Sequence, residues 1–378
     1  MTRIVHLLSG LQIGGKERAA LRLARRAMLD GCRATLVLYD TPFRSAELDF
    51  DPGDVPIIHL KRGPGVDLRF ARRLARQLRE LGARVVHAHN DTALFYAVLA
   101  AMLALPRRVR VVASFHAWPS QGGRGARWLT RAAGTVASVA AVSEDLAALL
   151  VRAGWLGRCA VIPNGVDTDR FSPCGPTDHW RDRLGVGERD FLVGHVARFD
   201  PIKRHTDLLE AATWLAQARA RIVLVLVGQG PLLNEMRSRA AGLPNVRFVA
   251  HVADMPPLLR SLDAMVLCSA HEGTPLALLE GMACGLPVVA TAVGGVPHLL
   301  RDAGSLVPPR DPHELTRALA ALAADPALRA RLGNAARRRS LDFPFETEWA
   351  AYARLYAGEA EYFSRLGRCF RMRSSRSQ

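Results

Sequence analysis

The chain has 378 residues, of which 49% are hydrophobic, and carries a formal net charge of +16 at pH 7. This length exceeds one ordinary domain and suits two, and the apolar fraction favours packed domains over disorder. No apolar run approaches the roughly 20 residues that cross a bilayer, so we expect no membrane-spanning helix. The six cysteines show no paired or metal-like spacing, which favours a reduced, cytoplasmic protein.

The excess of positive charge lies mainly in the N-terminal part of the chain. Residues 1–165 hold 24 Lys and Arg against 12 Asp and Glu, whereas residues 166–378 hold 27 against 23. An arginine-rich coding bias accounts for such an excess as well as function does; otherwise the excess indicates an anionic surface or acceptor. Aromatic side chains are few and no nucleic-acid-binding motif is visible, so we expect no nucleic acid partner. The arginines between Arg69 and Arg79 and at Arg107 to Arg110 would suit a membrane face.

Short apolar runs alternate with helical patterns, beginning with a strand at Ile4 to Leu8, a glycine loop and a helix ending near Leu29. Further strands of this first series are predicted at 34–39, 56–60, 85–88, 109–114, 136–142 and 159–163. A segment rich in Pro, Gly and Asp follows, and a second series is predicted at 191–196, 222–227, 246–249, 264–268, 288–291 and 305–307. The alternation predicts parallel sheets covered by helices, and the two series predict two doubly wound domains. Ligands of such folds bind beyond the carboxyl ends of the strands, so two facing domains would enclose a cleft.

Two glutamates eight residues apart, Glu272 and Glu280, lie after a predicted buried strand and within the helix that follows it. Pro275 suits the first helical turn, and the free N–H groups at a helix start favour an anion. Acidic pairs at this spacing often form only a solvated helix face, but the residues around Glu280 are apolar, and unpaired carboxylates are seldom buried. Two acceptors beside an anion site predict a ligand with hydroxyls and phosphates, such as a nucleotide sugar.

Two cations follow another predicted strand, Arg198 as a planar fork and Lys203 as a point charge, and this pair could clamp a diphosphate. A solvated loop is the ordinary interpretation of basic residues there, although the chain has only three lysines. Gly228 and Gly230 follow the next strand and would allow a ligand to approach the backbone closely.

The N-terminal glycine loop from Gly10 to Lys16 nearly matches a phosphate-binding loop. Glu17 stands where Ser or Thr should bind Mg²⁺, and no Walker-B aspartate follows, so we reject a nucleoside triphosphatase. The loop also differs from the G-x-G-x-x-G motif, which argues against a nicotinamide-dependent dehydrogenase. An anion-binding loop at Gly14 and Gly15 remains.

Histidines end two other predicted strands of the first series. His116 lies at the edge where a ligand is expected, although a lone strand-end histidine is more often structural than catalytic. For His87 and His89 we favour a structural role.

In series, these segments resemble the retaining glycosyltransferases of family 4, also called glycosyl transferases group 1. The E-x7-E segment from Glu272 to Glu280 carries most of the resemblance, and the elements at Gly14-Gly15, His116, Asn164-Gly165, Arg198/Lys203 and Gly228 to Pro231 appear in the family's order. The resemblance implies an α/β fold of GT-B type, with two facing Rossmann-like doubly wound domains and a cleft between them. The expected parts are an acceptor-binding domain (1–165), a linker (166–188), a donor-binding domain (189–345), a helix crossing back to the first domain (346–363) and a basic tail (364–378).

The resemblance also implies roles for these residues. Arg198 and Lys203 would neutralise the leaving diphosphate, Glu280 would accept from ribose hydroxyls, and Gly15 would approach the phosphates. Glu272 would hold the sugar hydroxyls, and His116 would lie against the sugar. The residues expected to act in catalysis are Glu272, His116, Arg198 and Lys203, and those expected to bind the donor are Gly14, Gly15, Arg198, Lys203, Gly228, Gly230, Glu272, Gly273, Thr274, Pro275, Leu276 and Glu280. No metal ion and no cofactor are expected, and electrostatic stabilisation of the leaving diphosphate would carry catalysis.

The expected activity is therefore metal-independent transfer of a hexose or acetamido-hexose (EC 2.4) from a nucleotide sugar to a glycan or lipid-linked acceptor, in cell-surface polysaccharide or glycolipid synthesis. UDP is the expected nucleotide because it is the family's commonest, and GDP remains open. The expected location is the cytoplasm, with peripheral binding to the inner face of the cell membrane as an open question. The alternatives are a nucleotide-sugar epimerase or hydrolase on the same fold, and a non-catalytic basic module that binds membrane or nucleic acid.

Overall fold

The computed structural model describes residues 1–11, 14–40, 52–104, 108–117, 132–133, 136–152 and 158–359. They fall into two compact units, which are considered separately. The first unit comprises residues up to Pro163 together with those from Glu348 onward, and the second unit comprises Asn164 to Thr347.

The first unit is built on a parallel sheet of seven strands. These are β1 (Arg3–Leu8), β2 (Arg33–Leu38), β3 (Ile57–His59), β4 (Val85–Ala88), β5 (Arg110–Phe115), β6 (Ser138–Ala141) and β7 (Arg158–Val161), in the order β3-β2-β1-β4-β5-β6-β7. The described helices between them are α1 (Gly15–Leu29), α2 (Leu68–Glu80), α3 (Asp91–Leu103) and α4 (Glu144–Arg152). The strand order reverses beside β1, and such switch points are where doubly wound sheets bind ligands.

The second unit repeats this winding with six parallel strands. These are β8 (Phe191–Val196), β9 (Ile222–Val227), β10 (Val246–Val249), β11 (Ala264–Leu267), β12 (Val288–Thr291) and β13 (Ser305–Val307), in the order β10-β9-β8-β11-β12-β13. Its helices are α5 (Trp180–Arg183), a 3₁₀ turn (Pro201–Lys203), α6 (His205–Gln217), α7 (Leu233–Arg239), α8 (Met255–Ser261), α9 (Leu276–Ala283), α10 (Val296–Leu300), α11 (Pro312–Ala324) and α12 (Pro326–Ser340). The last described helix, α13 (Phe345–Ala357), begins in the second unit and continues in the first.

Helix α2 illustrates how the sequence sets local structure. The Asp67 carboxylate accepts a hydrogen bond from the Phe70 N–H at 2.9 Å, which caps the helix start. Phe70, Leu74 and Leu78 recur every four residues and are fully buried against the sheet. The arginines of this helix lie on the opposite, exposed face: Arg69, Arg72, Arg73, Arg76 and Arg79.

The predicted architecture is confirmed: both sheets are parallel and all 13 predicted strands form, with ends that differ by at most two residues. The helix predicted to end near Leu29 does end there. In the segment predicted as a linker, Phe171, Trp180 and Leu184 join the buried core of the second unit. That segment is therefore packed structure. The predicted basic tail at 364–378 lies outside the described residues.

No helix among the described residues is long and apolar enough to cross a membrane. The buried core of each unit lies between its sheet and the helices that cover it.

Candidate active site

Glu272 occupies the loop between strand β11 and helix α9 in the second unit. Its side chain is 9% exposed, and its Oε1 accepts hydrogen bonds from Lys203 Nζ at 2.5 Å and from Ser269 Oγ at 2.6 Å. The Ser269 carbonyl in turn accepts from the Thr291 hydroxyl at 2.7 Å, which ties this loop to the end of β12. The carboxylate is therefore held in place by a cation and a hydroxyl on neighbouring strand ends.

The backbone of Glu272 is held as firmly as its side chain. Its carbonyl accepts from the Gly295 N–H at 3.2 Å. Gly294 has a φ of +50°, and a Cβ at that position would lie 1.9 Å from the Glu272 carbonyl oxygen. Only glycine fits this left-handed and crowded position, so the loop after β12 serves as a support for Glu272.

Helix α9 starts immediately after this loop. Pro275 is its N-cap, with extended backbone (φ −71°, ψ 118°), so the helix begins at Leu276, and Glu280 lies about one turn along it. Asn164 Nδ2 donates to the Thr274 carbonyl at 2.7 Å, which fixes the approach to the helix start. Glu280 is 3% exposed, so its carboxyl group belongs to the interior of the unit.

The cations expected after β8 differ in their surroundings. Lys203 ends the 3₁₀ turn and pairs with Glu272, whereas Arg198 is partly exposed and has no side-chain partner among the described residues. The Cys268 thiol donates to the carbonyls of Lys203 and Arg204 at 3.3 Å each. Burial raises the pKa of Cys268 to about 12, so this thiol keeps the proton with which it fixes the turn.

Gly228 and Gly230 line the same edge of the sheet. Their φ values are +143° and +150°, and a Cβ would lie 2.2 Å from the Ala197 carbonyl and 2.4 Å from the Phe199 carbonyl, respectively. The turn after β9 therefore packs backbone to backbone against the segment that carries Arg198, which no larger residue would permit.

The remaining candidates belong to the first unit. Gly14 is the extended N-cap of α1, where a Cβ would lie 2.2 Å from Glu17 Oε2, whereas a Cβ built on Gly15 meets nothing within 4 Å. Lys16, in the first turn of this helix, donates to Ser9 Oγ at 3.3 Å. His116 follows the last residue of β5, and burial, with the charges of Lys16 and Arg22, lowers the pKa of His116 to about 3. Its imidazole is therefore neutral at physiological pH.

The structure thus places one set of predicted site residues together at the carboxyl edge of the second sheet: Arg198, Lys203, Gly228, Gly230, Glu272, Gly273, Thr274, Pro275, Leu276 and Glu280. Gly14, Gly15 and His116 lie at the corresponding strand ends of the first unit. Four residues at these sites were not predicted from the sequence: Ser269, Asn164, Gly294 and His6. The first three act on Glu272 or on the helix start; Ser269 was detectable as a hydroxyl three residues before an expected acidic residue.

Comparison with known proteins places these features in a family. The model of glycosyltransferase family 4 matches residues 13–170, and that of glycosyl transferases group 1 matches residues 176–339. A putative glycosyltransferase EpsF of Bacillus subtilis (strain 168) is 30% identical over 305 residues, covering 76% of this chain and 78% of that protein. The chain belongs to the group 1 (family 4) glycosyltransferases.

Other relatives of this glycosyltransferase match over shorter stretches or by fold. The D-inositol 3-phosphate glycosyltransferase of Salinispora arenicola is 35% identical over 224 residues, which is 54% of this chain and 50% of that protein. The chain thus spans about half the length of this relative. The crystal structure of Anabaena Alr3699/HepE in complex with UDP and glucose has a TM-score of 0.81 at 23% identity, over 95% of this chain and 100% of that one. The fold is therefore GT-B, with two Rossmann-like domains.

Proposed function

We propose that this glycosyltransferase moves a hexose or acetamido-hexose from UDP-sugar to a glycan or lipid-linked acceptor with retention of the anomeric configuration. The observation that carries the proposal is the group of Arg198, Lys203 and Glu272 at the edge of the second sheet, beside the start of α9. The group combines positive charge for a diphosphate with acceptors for sugar hydroxyls. The fold neighbour HepE, crystallised with UDP and glucose, supports UDP as the nucleotide.

The two cations have separate tasks in this proposal. Arg198 pairs with no carboxylate among the described residues, so its guanidinium is available for the diphosphate. Lys203 is already paired with Glu272, and a diphosphate near Nζ would share that charge. Electrostatic preorganisation of this kind is often the largest contribution to catalysis. We therefore propose leaving-group stabilisation by these cations, without a catalytic metal ion.

The glutamates serve as hydroxyl acceptors in the same proposal. Glu280 accepts from the ribose, while Glu272 and the N–H groups around Thr274 to Leu276 hold the transferred sugar. The hydroxyl of Ser269 and the ammonium of Lys203 both donate to Glu272, which fixes the orientation of this carboxylate. We propose no nucleophilic residue of the enzyme, because attack by the acceptor on the same face as the departing diphosphate explains retention.

Two residues of the first unit, Gly15 and His116, have proposed roles in donor binding. The space beside Gly15 in the first turn of α1 would admit phosphate oxygens, and the neutral imidazole of His116 would contact the sugar. We propose a cytoplasmic enzyme of cell-surface polysaccharide or glycolipid synthesis that docks on the inner face of the cell membrane through the arginines of α2.

A thermal-shift screen across UDP- and GDP-sugars, followed by product analysis with and without acceptor, tests the proposal. A UDP-sugar should raise the melting temperature, because a ligand that binds only the folded state stabilises it. Transfer should require acceptor and persist in EDTA, and the product should keep the donor's anomeric configuration. Donor consumption without acceptor would instead indicate a hydrolase or epimerase, and a shift with GDP-sugars alone would overturn the choice of nucleotide.

A further inference from the structure

Four histidines meet on one face of the first sheet, at the carboxyl ends of three adjacent strands. His6 on β1 is in register with His87 on β4, and His89 follows two residues later, so His87 and His89 point to the same side. His116 follows β5, the next strand in the sheet. His6 and His87 are fully buried and His89 is 1% exposed, so these rings form a continuous buried row.

Three of these rings form a hydrogen-bonded chain. His6 Nδ1 lies 3.0 Å from His89 Nε2, and His89 Nδ1 lies 3.4 Å from His116 Nε2. The rings are close to parallel, with interplanar angles of 19° and 22°. Burial lowers the pKa of His6 and of His116 to about 3 and holds the pKa of His89 well below its ordinary value. Each imidazole is therefore neutral and carries one N–H.

Because each ring carries one proton, the hydrogen bonds of the histidine chain can run in only two directions. If His116 donates from Nε2 to His89 Nδ1, then His89 carries its own proton on Nε2 and donates it to His6 Nδ1, which leaves the proton of His6 on Nε2. In the reverse arrangement all three rings carry the proton on Nδ1. We propose that His6, His89 and His116 share one tautomer as a unit, and that His89 and His6 are positioning residues for His116.

The two ends of the histidine chain indicate that it fixes a tautomer and does not conduct protons. His6 Nε2 and His116 Nδ1 are buried and have no partner within the part of the chain that the structure describes. A proton entering at His116 would find no acceptor beyond His6. The chain therefore fixes which hydrogen-bonding group His116 Nδ1 offers. That this group meets the donor sugar rests on the proposed function, whereas the shared tautomer does not.

His87 belongs to a separate network. Its Nδ1 lies 2.8 Å from the Tyr356 hydroxyl and its Nε2 lies 2.6 Å from Ser114 Oγ, which in turn lies 2.7 Å from the Tyr352 hydroxyl. The ring nitrogens of His6, His87 and His89 come within 4.8 Å of one another, so a transition metal is the competing explanation. Both nitrogens of His87 and of His89 are already engaged, and a metal would have to break those bonds. The hydrogen-bond geometry therefore favours the histidine chain over a metal site.

Long-range ¹H–¹⁵N correlation spectra of the ¹⁵N-histidine-labelled full-length protein test the shared tautomer directly. Signals are assigned with His6→Asn, His89→Phe and His116→Asn. We expect all three rings to be neutral at pH 6 and to carry the proton on the same nitrogen. His89→Phe removes the hydrogen bonds of His89 but keeps an aromatic ring, and in this variant His6 and His116 should no longer carry the proton on matching nitrogens. The control Tyr352→Phe, on the same face but outside the chain, should leave all three signals in place.

Two results would overturn the shared tautomer: different tautomers among the three wild-type rings, or about one equivalent of zinc or copper that is lost in His6→Phe. The positioning role is tested by kinetics. His89→Phe should lower kcat roughly 10- to 100-fold with little change in donor KM, because His116 is misoriented while the donor groups of the second unit remain. His89→Asn, whose amide can stand in for Nδ1, should recover part of the loss. Wild-type kcat in His89→Phe would refute positioning, even if the tautomers agree.

Discussion

Lys203 and Glu272 form an ion pair in which Nζ lies 2.5 Å from Oε1, although 69 residues separate them in the chain. The pair exists because strand β8, which precedes Lys203, is the sheet neighbour of β11, which precedes Glu272. Each residue compensates the charge of the other near the interior of the unit. Arg198 differs from Lys203, because its guanidinium has no carboxylate partner among the described residues.

Removing each cation should therefore have different effects on stability. Arg198→Ala should lower kcat/KM at least about 100-fold while changing the free energy of unfolding by less than about 0.5 kcal/mol. Lys203→Ala should lose activity and also cost roughly 1–3 kcal/mol, because Glu272 is left without its cation. The cost stays below that of a fully buried pair, since the Lys203 side chain is 23% exposed. Denaturation and steady-state kinetics of both variants, with Lys203→Arg as control, measure the contrast. Equal stability losses would contradict it.

Glu280 should act in donor binding. Glu280→Gln keeps the shape and one acceptor but removes the charge, and Glu280→Ala removes both acceptors. We expect UDP binding to weaken by roughly 10- to 100-fold in the alanine variant and by less in the glutamine variant, because a hydrogen bond to a charged group contributes about 1.5–3 kcal/mol. Calorimetric titration with UDP measures this. Wild-type affinity in Glu280→Ala would remove this residue from the proposed site.

Gly294 should be irreplaceable for two reasons that a matched control separates. Gly294→Ala places a side chain in left-handed backbone (φ +50°) and against the Glu272 carbonyl, whereas Gly242→Ala meets left-handed backbone (φ +88°) with nothing within 4 Å. The control should cost about 1–2 kcal/mol. Gly294→Ala should cost more and also reduce activity, because Glu272 must move. Thermal denaturation and turnover of the two variants decide the matter, and equal behaviour would show that the carbonyl contact is unimportant.

Buried histidines should make the protein unstable in acid. Burial is the largest cause that lowers the pKa of six of them, to about 2–4 where a value is defined: His6, His87, His89, His116, His195 and His205. Below about pH 6.5 the unfolded chain binds protons that the folded chain does not. Stability should therefore fall with decreasing pH from about 6.5 toward 4, by up to about 1.4 kcal/mol per histidine and pH unit. Melting temperatures measured from pH 8 to pH 5 test this, and a flat profile would contradict it.

One histidine offers a specific control for that titration. Both ring nitrogens of His205 are buried and have no hydrogen-bond partner among the described residues, and the ring stacks on Phe199 at a centroid distance of 4.1 Å. His205→Phe keeps the stacking and removes a group that titrates, so it should be tolerated at pH 8 and should reduce the loss of melting temperature in acid. An unchanged acid profile would mean that His205 does not contribute.

The arginine face of α2 should mediate membrane docking. Arg69, Arg72 and Arg76 are exposed along one side of this helix, beside Val66 and Leu68, which are 55% and 54% exposed. Changing the three arginines to Gln should abolish cosedimentation with phosphatidylglycerol vesicles at low salt, since each basic residue near an anionic surface contributes about 1 kcal/mol.

The matched control removes the same charge from the second unit, at Arg310, Arg331 and Arg338, which are also exposed. It should leave cosedimentation unchanged. Equal binding of both triple variants, or no wild-type binding at low salt, would refute docking through α2.

Much of the fold was predictable because buried parallel strands are short, nearly continuous apolar runs. Strands β8, β9, β12 and β13 have the predicted ends. The acidic pair Glu272 and Glu280 was also visible, since charged residues in apolar surroundings demand an explanation.

The contacts between distant segments were not predictable. The pairing of Lys203 with Glu272 depends on the order of strands in the sheet, which a single sequence does not specify. The histidine chain joins residues 83 positions apart, and His6 looked like an ordinary residue of an apolar strand. Local patterns predicted which segments would carry the site, whereas the geometry of the site arises from strand order.

Helix α13 ties the end of the chain to its beginning. Tyr352 and Tyr356 close the network around His87, Glu348 accepts from Arg22 at 2.8 Å, and the Trp349 indole donates to Asp30 at 2.7 Å. Because the second unit lies between the two segments of the first unit in the chain, the second unit is synthesised before the first unit is complete. A chain truncated before residue 345 would lack these contacts and expose the face that carries the histidine row, so the first unit can pack fully only after α13 has been synthesised.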